Sequence, residues 1–332
     1  MFDVSRNAAR YFAAAAATLF LISCGGSDDT PAPPPFAATT YVIGGSWSDT
    51  GNQCTAKPAE CQPTPPAYQQ LDSNGPIWVT SVAARYGAAA VASLKGGNNF
   101  AYADARTGTV PTVAGVAPPA PIAPSMVQQQ ETLLARAGFV VNPQNLVIVD
   151  AITFGNNVAD ALAMIAGSPA NAAAISTATV TAGVTDIVGI LNRFYAAGAR
   201  NILLLNTGDA GKSPAILSLG SPQLAGAATQ MSLGFNAALA QQVINFRAVS
   251  PGVNLYTVDM AALQAQILAS PSSFGFANVT QPCFVKATAS TPQILCSTDA
   301  AVQNTFLWWD PFHPTYTTGQ LIAQRSITAI GR

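Results

Sequence analysis

Residues 146–149 read Leu-Val-Ile-Val and residues 201–205 read Asn-Ile-Leu-Leu-Leu. Neither run alternates polar with apolar, as a strand with one wet face does. Short continuous apolar runs mark strands buried on both faces. Between them lie Ala-rich stretches with helical patterning, over 158–165 and 170–197, and Gly183 is a point where the second can break. The alternation continues outward. Upstream, a β-like run, Tyr41-Val42-Ile43, leads into Gly44-Gly45-Ser46, and helical patterns cover 77–86 and 125–137. Downstream come a long helical pattern over 223–247, a strand over 253–258, a helix over 260–268, a last apolar strand over 306–309 and a helix over 317–330. Strands alternating with helices predict the α/β class, with a mainly parallel sheet covered on both faces in a three-layer α/β/α sandwich. Three stretches interrupt this rhythm and read as loops: 53–68 and 270–300, each with two cysteines, and the Pro/Ala/Val-rich 107–124.

Composition narrows the possible partners. Hydrophobic residues make up 49% of the chain and charged residues only 9%, against about a quarter in ordinary globular domains. Lys+Arg 14 against Asp+Glu 15 gives a net charge of -1. No basic field exists to release phosphate counterions, which excludes nucleic-acid binding by charge neutralisation. An apolar, nearly neutral chain is not disordered by charge either.

The N-terminus reads as an export address. Arg6 and Arg10 precede an apolar run over 11–22, too short to span a bilayer but right for a signal peptide. The run ends Leu21-Ile22-Ser23-Cys24, which resembles the bacterial lipobox. That resemblance implies a signal peptide over 1–23, lipidation of Cys24, and membrane attachment through the lipid. Gly25 in place of Asp suggests the outer membrane, with the periplasm or cell surface as the other exported destinations. Residues 24–38 then form a Pro-rich tether, and 39–332 a single domain. Four cysteines remain: Cys54, Cys61, Cys283 and Cys296. An even number suits an oxidising compartment, and proximity favours Cys54–Cys61 and Cys283–Cys296. Their spacing is wrong for a CxxC metal site and the chain has one His, so no metal is expected.

Active groups in an open parallel sheet sit at the carboxyl ends of strands. Three polar clusters lie there: residues 44–52, Gly155-Asn156-Asn157, and Asp310-Pro311-Phe312-His313-Pro314. The last holds the single His. A Ser nucleophile needs a base that titrates near working pH, and the base needs a carboxylate to orient it. Asp310, three residues before His313, is that carboxylate; Asp259, just past a strand end, is a weaker competitor. The 44–51 run has no Lys and lacks the spacing of a phosphate-binding loop.

The blocks together resemble the GDSL/SGNH serine hydrolases, in their bacterial lipase, phospholipase and esterase branch. A GDSLSDTGN-type block reads Gly44-Gly45-Ser46-Trp47-Ser48-Asp49-Thr50-Gly51-Asn52. An NGPxW block follows at Asn74-Gly75-Pro76-Ile77-Trp78, and an NFAYGGAR-like block at Asn99-Phe100-Ala101-Tyr102-Ala103-Asp104-Ala105-Arg106. Gly155-Asn156-Asn157-Val158 stands for GxND, Ala197-Gly198-Ala199-Arg200 for LGAR, and Asp310-Pro311-Phe312-His313-Pro314-Thr315 for DxxHPT. The blocks are in family order and cover nearly all of 41–330.

The resemblance implies a flavodoxin-like sheet and a catalytic triad of Ser46, His313 and Asp310. It also implies an oxyanion hole made by the Ser46 and Asp104 backbone N–H groups and the Asn157 side chain, with Ala103 the neighbouring possibility for Asp104. The activity implied is hydrolysis of carboxylic esters of lipids, phospholipids or short acyl groups, with no cofactor. Loops 63–68 and 111–124 and the Trp308-Trp309 pair are candidates for an acyl pocket, although core packing suits the tryptophans better. Gly45, Trp47 and Val158 depart from the family pattern, and so does Asp104, where the family has Gly. An Asp carboxylate turned inward there would oppose an oxyanion. The alternative is therefore a surface binding or adhesion lipoprotein that has lost turnover.

Overall fold

A computed structural model describes residue 36 and residues 39–288 and 292–331. The expected signal peptide, Cys24 and nearly all of the tether lie outside the described residues. Four strands form the main sheet: β1 (Thr40–Ile43), β2 (Leu146–Asp150), β3 (Asn201–Leu205) and β4 (Asn254–Val258). They pair in that order and all in parallel. Every residue of β2 and β3 is buried, as their unbroken apolar sequences require.

The outer side of β1 is also paired. The Val42 N–H donates to the Asn98 carbonyl at 3.1 Å, the Phe100 N–H to Val42 at 2.8 Å and the Tyr102 N–H to Gly44 at 3.1 Å. The chain thus leaves β1 on one side and returns with β2 on the other. Such a reversal opens a crevice at the strand's carboxyl end, here residues 44–46. This is the flavodoxin-like order, with its outer strand reduced to a short pairing.

Helices α1 (Asn52–Ala56), α2 (Trp78–Arg85) and α3 (Met126–Arg136) precede β2. Between β2 and β3 come α4 (Phe154–Gly167) and α5 (Ala172–Ala196), and between β3 and β4 come α6 (Pro214–Leu217) and α7 (Pro222–Val249). Helix α8 (Met260–Ala269) follows β4. Successive strand residues point to opposite faces, so the sheet feeds two cores. Val147, Val149, Ile202 and Leu204 meet α3, α4, α5 and α7. Leu146, Ile148, Leu203 and Leu205 meet α2, α8 and the C-terminal helix. Each fully buried aliphatic side chain contributes about 1.5–3 kcal/mol, which outweighs the weak intrinsic preferences of short strands. Helix α5 is apolar and long enough to cross a membrane by length alone, but Ile175, Ile187, Leu191 and Phe194 are buried in the first core.

The stretch 270–300 carries more structure than a loop. It holds β5 (Asn278–Pro282), β6 (Phe284–Val285) and β7 (Ile294–Leu295), and leads through α9 (Ala300–Gln303) to β8 (Phe306–Trp308) and α10 (Tyr316–Ile330). Strand β8 does not join the main sheet. It pairs in parallel with β5, whose insertion supplies the hydrogen-bonding edge that β4 does not. Both Cys54–Cys61 and Cys283–Cys296 are disulfide-bonded.

One other expectation changes. Helix α5 runs unbroken through Gly183, and the glycine is there for packing: a Cβ would lie 2.6 Å from the Phe154 ring. The glycine gives Phe154 room to stack on Phe235, with ring centroids 4.0 Å apart. Arg200 donates to the Tyr195 and Ala199 carbonyls and lies over the Tyr195 ring.

Candidate active site

Residues 44–52 leave β1 as a tight turn, held from beneath. The Gln129 side chain accepts from the Gly44 N–H at 2.9 Å and donates to the Gly44 carbonyl at 3.0 Å. A Cβ on Gly44 would lie 2.6 Å from the Asp150 Cβ, so only glycine lets the turn descend onto the end of β2. The Ser48 hydroxyl donates to Asp150 Oδ2 at 2.6 Å. Burial pushes the Asp150 carboxyl up to about 6, against the Ser48 hydroxyl and the Ile152 N–H, which favour its charged form. Asp49 accepts from the N–H groups of Gly51, Asn52 and Gln53, capping α1, and from Ala103 at 3.0 Å. Buried Asn52 and Asn99 then lace the turn to the 99–106 segment: Asn52 donates to the Asn99 and Ala101 carbonyls, and Asn99 to Ser48. Ser46 is left at the crest of a braced turn.

Asp104 answers the question raised by its missing glycine. It adopts φ 60, the left-handed conformation that Asp tolerates better than most residues. Its carboxylate accepts from Gln53 Nε2 at 2.8 Å. The Ala103 N–H is committed to Asp49. Of the two neighbouring N–H groups, that of Asp104 is the one with no acceptor among the described residues.

His313 stands on the short loop after β8. Its Nδ1 lies 2.8 Å from both oxygens of Asp310, whose Oδ1 also accepts from the Phe312 and His313 N–H groups at 2.9 Å. The contact is too short for a tetrahedral zinc between the two, since zinc–ligand bonds of about 2 Å hold tetrahedral donor atoms more than 3 Å apart. The loop is pinned on three sides. Trp47 Nε1 donates to the Phe312 carbonyl, the Ala215 N–H to Pro311 and the Trp309 N–H to His313. The NGP block serves the same end, because Asn74 Oδ1 caps α10 by accepting from the Tyr316 N–H at 2.7 Å. Asp259 is elsewhere, capping α8 and accepting from Asn206.

Ser46, Asp104 and His313 all line two adjoining cavities. One, of about 450 Å³, is apolar at Met260, Leu263, Ile267, Leu307 and Trp308. Arg106, ion-paired with Asp160, forms part of its polar wall. The other, of about 380 Å³, is polar, with Gln53, Glu60, Gln62, Asp72 and Lys286. Loops 53–68 and 270–300 meet here: Lys286 Nζ donates to the Cys61 carbonyl, and Phe284 stacks on Trp309 with Ala67 in the same cluster. Trp309 is core, while Trp308, though 5% exposed, lines the apolar cavity.

Asn157 is not brought to the cavity. It is fully buried on α4, accepting from the Thr107 N–H at 3.0 Å and donating to the Thr107 hydroxyl at 2.8 Å. Asn156, one residue earlier, lines the cavity instead, with one amide hydrogen on the Ala105 carbonyl at 2.7 Å. On a helix, adjacent residues point about 100° apart, so two Asn in a row leave the facing one undecided until the packing is known.

The sequence reading also missed Asp72 and Gln62. Asp72 Oδ2 lies 3.8 Å from His313 Nε2, and Gln62 Nε2 donates to Asp72 Oδ1 at 2.9 Å. Asp72 stands two residues before Asn74 of the NGP block, which was the available signal. Burial by itself lowers the His313 pKa, but the carboxylates of Asp310, Asp72 and Asp104 outweigh it and push it up to about 9.

A sequence model described as GDSL-like Lipase/Acylhydrolase matches residues 41–326. Among curated proteins, a GDSL esterase/lipase of Arabidopsis thaliana is 31% identical over 156 residues, covering 44% of this chain and 41% of that protein. A second Arabidopsis GDSL esterase/lipase is 26% identical over 145 residues, covering 42% of this chain and 40% of that protein. The thermolabile hemolysin of Vibrio parahaemolyticus is 25% identical over 150 residues, covering 43% of this chain and 35% of that protein. The chain thus matches about two fifths of the length of these relatives. With the family model spanning the sheet from β1 into α10, the chain belongs to the GDSL-like lipase/acylhydrolase family.

Proposed function

We propose that the protein hydrolyses carboxylic esters of lipid or other acyl substrates by a Ser-His-Asp acyl-enzyme route. Ser46 Oγ attacks the ester carbonyl while His313 Nε2 takes its proton. The alcohol leaves with that proton, and an acyl group remains on Ser46. Water then attacks the acyl group, again losing its proton to His313, and the acid is released. The Ser46 and Asp104 N–H groups and the second amide hydrogen of Asn156 stabilise the oxyanion. The observation that carries this reading is the Asp310–His313 pair, opening with Ser46 onto a cavity whose far wall is apolar. That wall suits an acyl chain, and the polar cavity on the other side suits the leaving alcohol.

Hydrolysis of p-nitrophenyl esters from acetate to palmitate tests the reading. Ser46→Ala and His313→Ala should each lower kcat by about 10⁴–10⁶-fold. Turnover surviving in Ser46→Ala would remove the nucleophile and the mechanism with it. We also propose export and outer-membrane attachment through a lipid on Cys24, supported by the lipobox-like Leu21-Ile22-Ser23-Cys24. Cell fractionation of Cys24→Ala should find the protein in the soluble exported fraction; unchanged membrane association would refute the anchor.

A further inference from the structure

The imidazole of His313 has a carboxylate at each nitrogen. Asp310 holds Nδ1 at 2.8 Å, and Asp72 Oδ2 stands 3.8 Å from Nε2, the nitrogen that must take the Ser46 proton. One amide ties the two carboxylates together: Gln62 Nε2 donates to Asp72 Oδ1 at 2.9 Å and reaches Asp310 Oδ2 at 3.4 Å. The His313 and Asp72 side chains are 14% and 19% exposed, so solvent screens the pair only in part.

The remaining charged groups around the ring do not cancel this. Asp104 adds a third carboxylate, held by Gln53 Nε2. Glu60, on the wall of the polar cavity, is paired with Lys57. Lys286 donates to the Cys61 carbonyl.

We propose that Asp72, clamped by Gln62, is a positioning residue of the site: it holds the resting His313 ring at Nε2 and sets the pH at which that nitrogen becomes free for Ser46. Its catalytic meaning rests on the ester-hydrolase reading; the contact itself does not. At rest, Asp72 favours a proton on Nε2 and must be displaced by the Ser46 hydroxyl. Once the ester is attacked, the imidazolium forms again and the same carboxylate steadies it. Removing the charge therefore has two effects. The base becomes available at lower pH, and it becomes a weaker base. A residue that only shaped the loop would lower turnover and leave the pH profile in place.

His313 is the single histidine of the 332 residues, so its imidazole NMR signal is unambiguous in the full chain purified without a histidine tag. Asp72→Asn should lower its titration midpoint by about 1 pH unit or more, as loss of an opposite charge at this range does. The ascending limb of kcat/KM should move down by the same amount. Asp72→Ser, smaller and equally neutral, should give the same shift and serves if Asp72→Asn does not fold. An unmoved midpoint in a folded neutral variant would overturn the proposal. A lowered midpoint in a protein without esterase turnover would uphold the clamp and overturn the hydrolase reading instead.

Discussion

In the proposed mechanism His313 takes a proton only when neutral, and three carboxylates keep it charged to about 9. An isolated His would make activity fail near pH 6–7. Here kcat/KM should rise with pH through about 9 and level off above it. A pH–rate profile on an ester stable to alkali checks this, and a limb at the ordinary value of 6.5 would show that the carboxylates do not govern the ring. The same shift bears on stability. The protonated ring stabilises the folded chain fully below about 6.5, its unfolded value, and this contribution is lost as pH rises through about 9. The two adjacent asparagines should separate cleanly. Asn156→Ala should cut kcat by about 10²–10³-fold with the fold intact, as loss of an oxyanion donor does. Asn157→Ala should instead lower stability by about 1–3 kcal/mol, because the buried Thr107 N–H loses its acceptor. Denaturant melts and turnover of both variants decide the assignment, and the reverse pattern would return Asn157 to the oxyanion hole.

Among the elements, those whose apolar pattern is local were legible. The run 201–205 is β3 to the residue. The 125–137 pattern is α3, with Ser125 as its N-cap in a capping box with Gln128. Gly183 was misread because glycine in a helix signals either a break or a close approach, and the partner that decides, Phe154, lies on another helix. Gly183→Ala should therefore destabilise by about 1–3 kcal/mol through overpacking, although alanine is the better helix former by about 1 kcal/mol. Calorimetry of the variant tests the balance, and a raised Tm would show that Phe154 yields easily. Strand β8 was legible as a strand but not in its pairing. Its apolar sequence specifies burial, and β5 rather than β4 provides the edge.

In the whole molecule, the stretches that broke the strand–helix rhythm build one side of the site. Loop 53–68 brings Gln62, and the following segment brings Asp72, to the His313 ring. The 270–300 insertion seats Trp309 and supplies Lys286. Both are stapled by disulfides, which limit the alternatives open to loops lacking regular structure. The chain carries little charge, yet several of its few carboxylates gather around one His. That concentration, and not the net charge of -1, sets the electrostatics of the site.

The α/β class, the covered parallel sheet and the pairing of His313 with Asp310 could be read from the sequence, and proximity along the chain favoured the two cysteine pairings that the structure holds. Each rests on nearby residues: apolar runs, helical spacing, cysteines close in the chain, and an Asp three positions from a His. Packing alone settles that Asn156 faces the cavity, that Asp104 turns its carboxylate to Gln53, and that Gln62 and Asp72 frame the His313 ring. Gln62 and Asp310 lie 248 residues apart. No local pattern encodes such a contact, because it depends on how two cores, formed from opposite faces of one sheet, bring distant loops to the same strand ends.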